Sequence, residues 1–340
     1  MDRRRFLGSL PLFASAGEPE AGIEVLRDTT CRNVKGFNYV PSRAGDIWEA
    51  IDSFDKETWD REFGYSKRFH ANALRIWCDF LSFQKDEKRF LTTWDTVLKL
   101  AEKHGLKIMI TTANRWVDAR WPYGGLDFAV VVRGPVWKEY AEYLKTFVGA
   151  FRAHPSVLMW DLCNEPFSAL GNDPGLQKLL MDRELAFWRT AVEATRVARP
   201  SQPVTIGVMR NAPDEMHDLV DVISCHPYGD WWDDASGFQE TLDFYVALAN
   251  RKGKPLICSE TCQGSKNNET RRQIIQVSIR ELERRKIGWL AWQLMAGKIV
   301  SARWDRFDQN CKPGDEAIMY WVEKDGRTRP GHDEKEWRTW

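Results

Sequence analysis

The 340-residue chain can hold one large core or two small ones, and its 49 lysines and arginines balance 49 aspartates and glutamates. That balance leaves no electrostatic footprint for nucleic acid or an anionic membrane surface. Seven cysteines without a CxxC pair argue against a disulfide scaffold, and the missing HxH, HExxH, P-loop, GxGxxG and GxSxG patterns leave zinc, phosphate-loop and serine-elbow chemistry without support.

In chain order, the N-terminus reads MDRRRFLGSLPLFASAG: arginines, a short apolar run and an Ala-Ser-Ala step. This pattern predicts a twin-arginine-type export signal over 1–22 and a periplasmic or secreted protein. A plain basic arm is the competing reading, because Pro11 interrupts the short run. No stretch is long enough to span a membrane.

Eight short apolar runs follow, at 34–40, 71–78, 106–112, 156–163, 203–208, 221–226, 255–260 and 287–294. They are rich in Val, Ile, Leu and aromatics and do not alternate, as parallel strands buried on both faces should read. Amphipathic segments separate them. Residues 92–104 start at Thr and stop before Gly105, and 136–152, 183–199, 239–252 and 269–286 read as helices too. The segment between the fifth and sixth runs has room for two helical turns. Arg280, Arg284, Arg285 and Lys286 alternate with glutamates, which predicts a solvated helix face.

Strands alternating with helices through one chain predict a single (β/α)8 TIM barrel over 23–340. The competing doubly wound sheet normally has a Gly-rich first turn, and NYVPSRAGD is not one. Residues 300–340 are expected to supply the last loop and a closing helix.

Active-site residues of such barrels sit at the C-terminal strand ends. Those ends carry Asn38, Arg75, Asp79, Asn114, Asn164, Glu165, His226, Tyr228, Glu260 and Trp292. Two of them are glutamates on the fourth and seventh strands, across the barrel from each other. A carboxylate ending a buried strand is costly without partners or a task. Two such groups facing one cleft fit glycoside hydrolysis, one as proton donor and one kept ionised. Arg75 and Tyr228 can favour the anionic form of one of them. Seventeen tryptophans add to this. Trp160 and Trp289 lie within strand-like runs and read as core. Trp116, Trp121, Trp231, Trp232 and Trp304 lie in loop-like stretches, where indole faces can stack on sugar rings.

WDLCNEP on the fourth strand and PLICSE on the seventh resemble the acid/base and nucleophile motifs of glycoside hydrolase family 5 and its clan A relatives. Arg75, the CHPYG segment with His226 and Tyr228, and LAWQLM with Trp292 extend the resemblance in order and spacing over most of 34–330. The resemblance implies a retaining β-glycoside hydrolase acting on a β-linked poly- or oligosaccharide. Glu165 would be the acid/base and Glu260 the nucleophile. Asn164 would bind the sugar 2-hydroxyl, Arg75 and Tyr228 would orient Glu260, His226 would touch the surroundings of both carboxylates, and Trp292 would form the floor. Neither metal nor organic cofactor is implied. Family members often carry a histidine near the third strand end, where this chain has Asn114 in TTANRW. The long aromatic stretch after it, 113–135 with Trp116, is expected to wall the substrate subsites. A non-catalytic glycan-binding barrel, or another barrel enzyme such as an isomerase or metal-dependent hydrolase, are the alternatives.

Overall fold

Eight parallel strands close on themselves in sequence order: β1 Lys35–Asn38, β2 Ala73–Trp77, β3 Lys107–Thr111, β4 Val157–Asn164, β5 Val204–Val208, β6 Ile223–Cys225, β7 Leu256–Thr261 and β8 Gly288–Ala291. The computed structural model describes residues 30–45, 49–78, 80–114, 134–167, 174–228, 236–297 and 318–338. Every predicted run coincides with one strand, β4 and β7 each extending one residue past it, and the barrel reading holds. The segment 1–22 lies outside the described residues.

The helices are α1 Glu49–Asp52, α2 Lys56–Ser66, α3 Phe80–Lys85, α4 Glu87–Lys103, α5 Gly134–Phe151, α6 Pro174–Val197, α7 Met216–Leu219, α8 Ser236–Lys252, α9 Asn268–Arg284 and α10 Glu334–Trp337. Helix α4 starts earlier than expected because the Asp86 carboxylate accepts from Arg89 N and caps it. Thr92 sits inside the helix with its hydroxyl turned back onto Lys88 O at 2.8 Å. The helix ends as predicted, with Gly105 in the left-handed region at φ 62°. Helix α6 starts at Pro174 and not at 183; its first turns expose Leu176 and Leu179 and present no continuous apolar face. Helix α7 makes one turn where two were expected. Helix α9 is not uniformly solvated at its basic end: Arg285 is buried, with Nε 2.6 Å from Asp243 Oδ1 and Nη1 2.7 Å from Glu281 Oε2.

The core lies between strands and helices and is built largely of aromatic edges on faces. Trp160 on β4 meets Phe147 of α5 at 5.4 Å between centroids and an interplanar angle of 84°. At the closing segment, Trp321 packs edge-on against Phe37 of β1 at 5.2 Å. Cys78, Cys163, Cys225 and Cys258 are buried and take part in no disulfide, as small core residues should be. Among the described residues, no helix is long and apolar enough to cross a membrane.

Two register shifts position the site. Between β4 and β5, Asp161 pairs with Thr205 and Asn164 with Gly207, so β4 carries one extra residue. Between β7 and β8, Cys258 pairs with Trp289 and Thr261 with Ala291, the same excess. Side chains alternate faces in a regular strand. An extra residue breaks that alternation and re-aims the residues near it.

Candidate active site

Arg75 on β2 is the hub of the mouth. It is fully buried, and a buried cation needs compensation. Its Nε and Nη2 donate to Asp161 Oδ2 at 2.9 and 2.7 Å. Nη2 also donates to Asn164 Oδ1 at 2.9 Å, and Nη1 donates to Asn38 Oδ1 at 3.2 Å and to Glu260 Oε1. Its plane covers the Trp77 ring at 4.6 Å. Burial works against the Arg75 charge, and Asp161 and Glu260 overcome it, so the group ends above its ordinary value. Burial raises the Glu260 carboxyl; His226 and Arg75 oppose that rise, and Glu165 adds to it.

Glu165 reaches the same space differently. It follows β4 with φ 54°, an uncommon backbone for a non-glycine residue, and its N–H donates to Gly207 O at 2.8 Å. Phe167 has φ 65°, and both of its peptide groups are held: its N–H donates to Glu184 Oε1 at 3.1 Å, and its carbonyl accepts from Asn211 Nδ2 at 2.8 Å. The Glu165 Oε1 atom lies 2.7 Å from His226 Nδ1. A carboxylate oxygen from each glutamate and a ring nitrogen of His226 all lie within 4.8 Å of one another.

His226 follows β6 and is buried. Burial pushes its pKa down to about 4; Glu260 pulls it up and Arg75 pushes it down further, so the ring is neutral near pH 7. A methyl at Gly207 would come within 2.7 Å of His226 Nε2 and 3.2 Å of Arg75 Nη2, so the glycine makes room for both. Burial, then Glu260, then Glu165 raise the Tyr228 phenol well above its ordinary value. It stays protonated beside the two acids. Trp292 packs with Val40, Ala44, Trp77 and Met319, and meets Trp77 edge-on at 5.1 Å. Asn164 Nδ2 donates to Asn114 Oδ1 at 3.0 Å, which fixes its amide with the oxygen toward Arg75.

The barrel therefore brings together Asn38, Arg75, Asn114, Asn164, Glu165, His226, Tyr228, Glu260 and Trp292. Asp79, Trp116 and Trp231 lie outside the described residues, as do Trp121, Trp232, Trp304 and most of the loop 113–135. Sequence reasoning passed over Asp161, Ser224, Ser259, Gly207 and Glu184. Asp161 left a signal, being the one charge inside the apolar run VLMWDLC. Two carboxylates and an imidazole could ligate a divalent cation. Here Glu260 already holds Arg75, and the imidazole already faces Glu165. Each of the three groups thus already has a partner within the protein.

Residues 53–298 match the family described as cellulase, glycosyl hydrolase family 5. The chain belongs to that family. A probable mannan endo-1,4-beta-mannosidase A-2 from Aspergillus terreus is 34% identical over 160 residues, covering 43% of this chain and 32% of the relative. A mannan endo-1,4-beta-mannosidase F from Aspergillus clavatus is 33% identical over 82 residues, 21% of this chain and 18% of the relative. The matched stretch thus spans about a third or less of these curated relatives. In shape, the chain is similar to a GH5_18 protein from Streptomyces cattleya solved with GlcNAc, with TM-score 0.65, 14% identity and coverage of 90 and more per cent of this chain (91%) and 82% of that one. A Bacteroides uniformis beta-glucuronidase 2 gives TM-score 0.66 at 16% identity, covering 90% of this chain and 35% of the other. At such identities these two likenesses speak for the fold alone.

Proposed function

We propose that this family 5 chain is a retaining β-glycoside hydrolase that cleaves β-linked poly- or oligosaccharide by double displacement, with Glu165 as acid/base and Glu260 as nucleophile. The observation that carries the reading is the approach of the two glutamates to within 4.8 Å, oxygen to oxygen, at the mouth of the barrel. Retaining enzymes hold their carboxyl groups about 5–5.5 Å apart, whereas inverting enzymes need about 6.5–9.5 Å to admit a water.

Two ionised glutamates this close repel, so one of the pair carries a proton. Arg75 breaks the tie by binding Glu260, which keeps the negative charge. Glu260 Oε attacks the anomeric carbon while Glu165 gives its proton to the departing glycosidic oxygen. A glycosyl ester on Glu260 results. Glu165, now a carboxylate, then takes a proton from water, whose oxygen attacks the same carbon and frees Glu260. Asn164 has one N–H committed to Asn114 and a second to offer the sugar 2-hydroxyl. Tyr228 stays protonated beside both glutamates, whose charges raise it, and Trp292 offers an apolar floor.

β-Mannans are the first substrates to test, because the curated relatives that match part of this chain carry mannan endo-1,4-beta-mannosidase names. The export-type N-terminal pattern supports secretion or a periplasmic location, where polysaccharide is met. The deciding experiment incubates the purified protein with β-mannan, β-glucan, xylan and aryl β-glycosides and measures reducing ends. Hydrolysis of at least one β-linked substrate is expected, and hydrolysis of none contradicts the proposal. A glycan-binding barrel without turnover is disfavoured by the intact set of two acids, their arginine and their imidazole.

A further inference from the structure

Behind His226 lies a short chain of buried hydroxyls. Ser259 Oγ is 2.7 Å from His226 Nε2, and Ser224 Oγ is 2.5 Å from Ser259 Oγ. Ser259 stands beside Glu260, and both reach toward the mouth, which the extra residue in β7 permits. A neutral imidazole carries one donor and one acceptor. The protons of this chain can therefore run in two orders. In the first, Ser224 donates to Ser259, Ser259 donates to Nε2, and Nδ1–H donates to Glu165; every donor has an acceptor. In the second, Nε2–H donates to Ser259, Ser259 donates to Ser224, and the Ser224 proton is left over. Among the described residues, Ser259 Oγ is the one hydrogen-bond partner of the Ser224 hydroxyl, which is buried. A buried donor without an acceptor costs about 1–3 kcal/mol, so the first order prevails.

We propose that Ser224 and Ser259 are positioning residues that lock His226 in its Nδ1–H tautomer and so keep a permanent hydrogen-bond donor aimed at Glu165. This rests on reading Glu165 as the acid/base. A donor on a carboxylate favours its ionised form. The lock thus serves the second displacement, in which Glu165 must be a base, and restrains Glu165 from holding its proton to high pH in the first. Among the described residues, the other charged or titratable groups facing His226 and Glu165 are Arg75 from β2, Asp161 from β4, Glu260 from β7 and the phenols of Tyr228 and of Tyr245 on α8, and the serine substitutions leave all five in place.

The test is long-range 1H–15N spectroscopy of the full chain with labelled histidine at neutral pH, with His226 assigned by its absence in His226→Asn. The expected result is a protonated Nδ1 and a bare Nε2. A protonated Nε2 overturns the proposal, whether or not any variant folds. In Ser259→Ala the Nδ1–H signature should weaken. The alkaline limb of kcat/KM should also move up by about half a pH unit with poor leaving groups. Rates with strongly activated leaving groups should stay within about twofold, since those need no proton. Ser224→Ala should shift the limb in the same direction by less. An unmoved limb in Ser259→Ala, or equal losses with both leaving groups, overturns the positioning role. Wild-type protein with the expected tautomer and no hydrolysis of any glycoside would instead overturn the acid/base reading, and the positioning role with it.

Discussion

The ends of β4 and β7 offer the same side chain to one pocket in opposite settings. Glu260 sits within β7, inside its register shift, and touches a guanidinium that is itself shared with Asp161. Glu165 sits in a left-handed turn and touches a neutral imidazole. One glutamate is held by fixed positive charge and is suited to remain an anion. The other is held by a group that donates a hydrogen bond without adding charge, so a proton can come and go. Residue type alone assigns neither role; the partner does.

The comparison breaks most sharply at Glu260. Glu260→Ala should lower turnover on the order of 10^5-fold. Added azide should then restore a product, a glycosyl azide of inverted configuration. No rescue, together with substantial residual turnover, would remove the nucleophile role. Glu165→Ala comes next, with a loss of about 10^2–10^4-fold on natural substrates. Dinitrophenyl glycosides should keep near wild-type rates of glycosylation in a pre-steady-state burst, and an equal loss on both substrate classes would erase the contrast between the two acids. Arg75→Ala strands the buried carboxylates of Asp161 and Glu260 without their cation and should cost about 3–5 kcal/mol of stability, read from denaturant midpoints. Asn164→Ala should be far milder.

A last contrast concerns pH and stability, not turnover. Burial lowers His217 and His226 from the ordinary 6.5 to about 4. Between those values the unfolded chain binds protons that the folded chain refuses, so stability falls as pH drops through that window. Each histidine contributes about 1.4 kcal/mol per pH unit within it. The thermal midpoint should drop between pH 7 and 4.5, and His217→Gln should flatten part of that slope. A slope unchanged in His217→Gln would contradict the role of that residue.

Much of this architecture is legible in the sequence. Strands buried on both faces leave uninterrupted apolar runs, and the eight runs gave their positions within a few residues. Glu165, Glu260 and His226 stood out because polar groups ending such runs need a reason, and Arg75 because it is a charge inside one. What stayed hidden depends on geometry between strands. Regular alternation would point Ser259 away from Glu260, and the β7–β8 register shift that reverses this is not written in either strand alone. The start of α4 was misplaced because Thr92 and Asp86 are both plausible caps, and the choice is made by packing of Phe90 and Trp94. The first turns of α6 carry exposed leucines and no apolar stripe, so periodicity could not find them. Arg285 read as solvated because Asp243, which buries it, lies on another helix.

The central claim is that two glutamates of unequal setting carry out two successive displacements at one carbon. Proton NMR of the first product released from a β-linked substrate, recorded before mutarotation, tests it most directly. The account predicts the β-anomer as the initial product. An initial α-anomer would mean a single displacement by water and would contradict it.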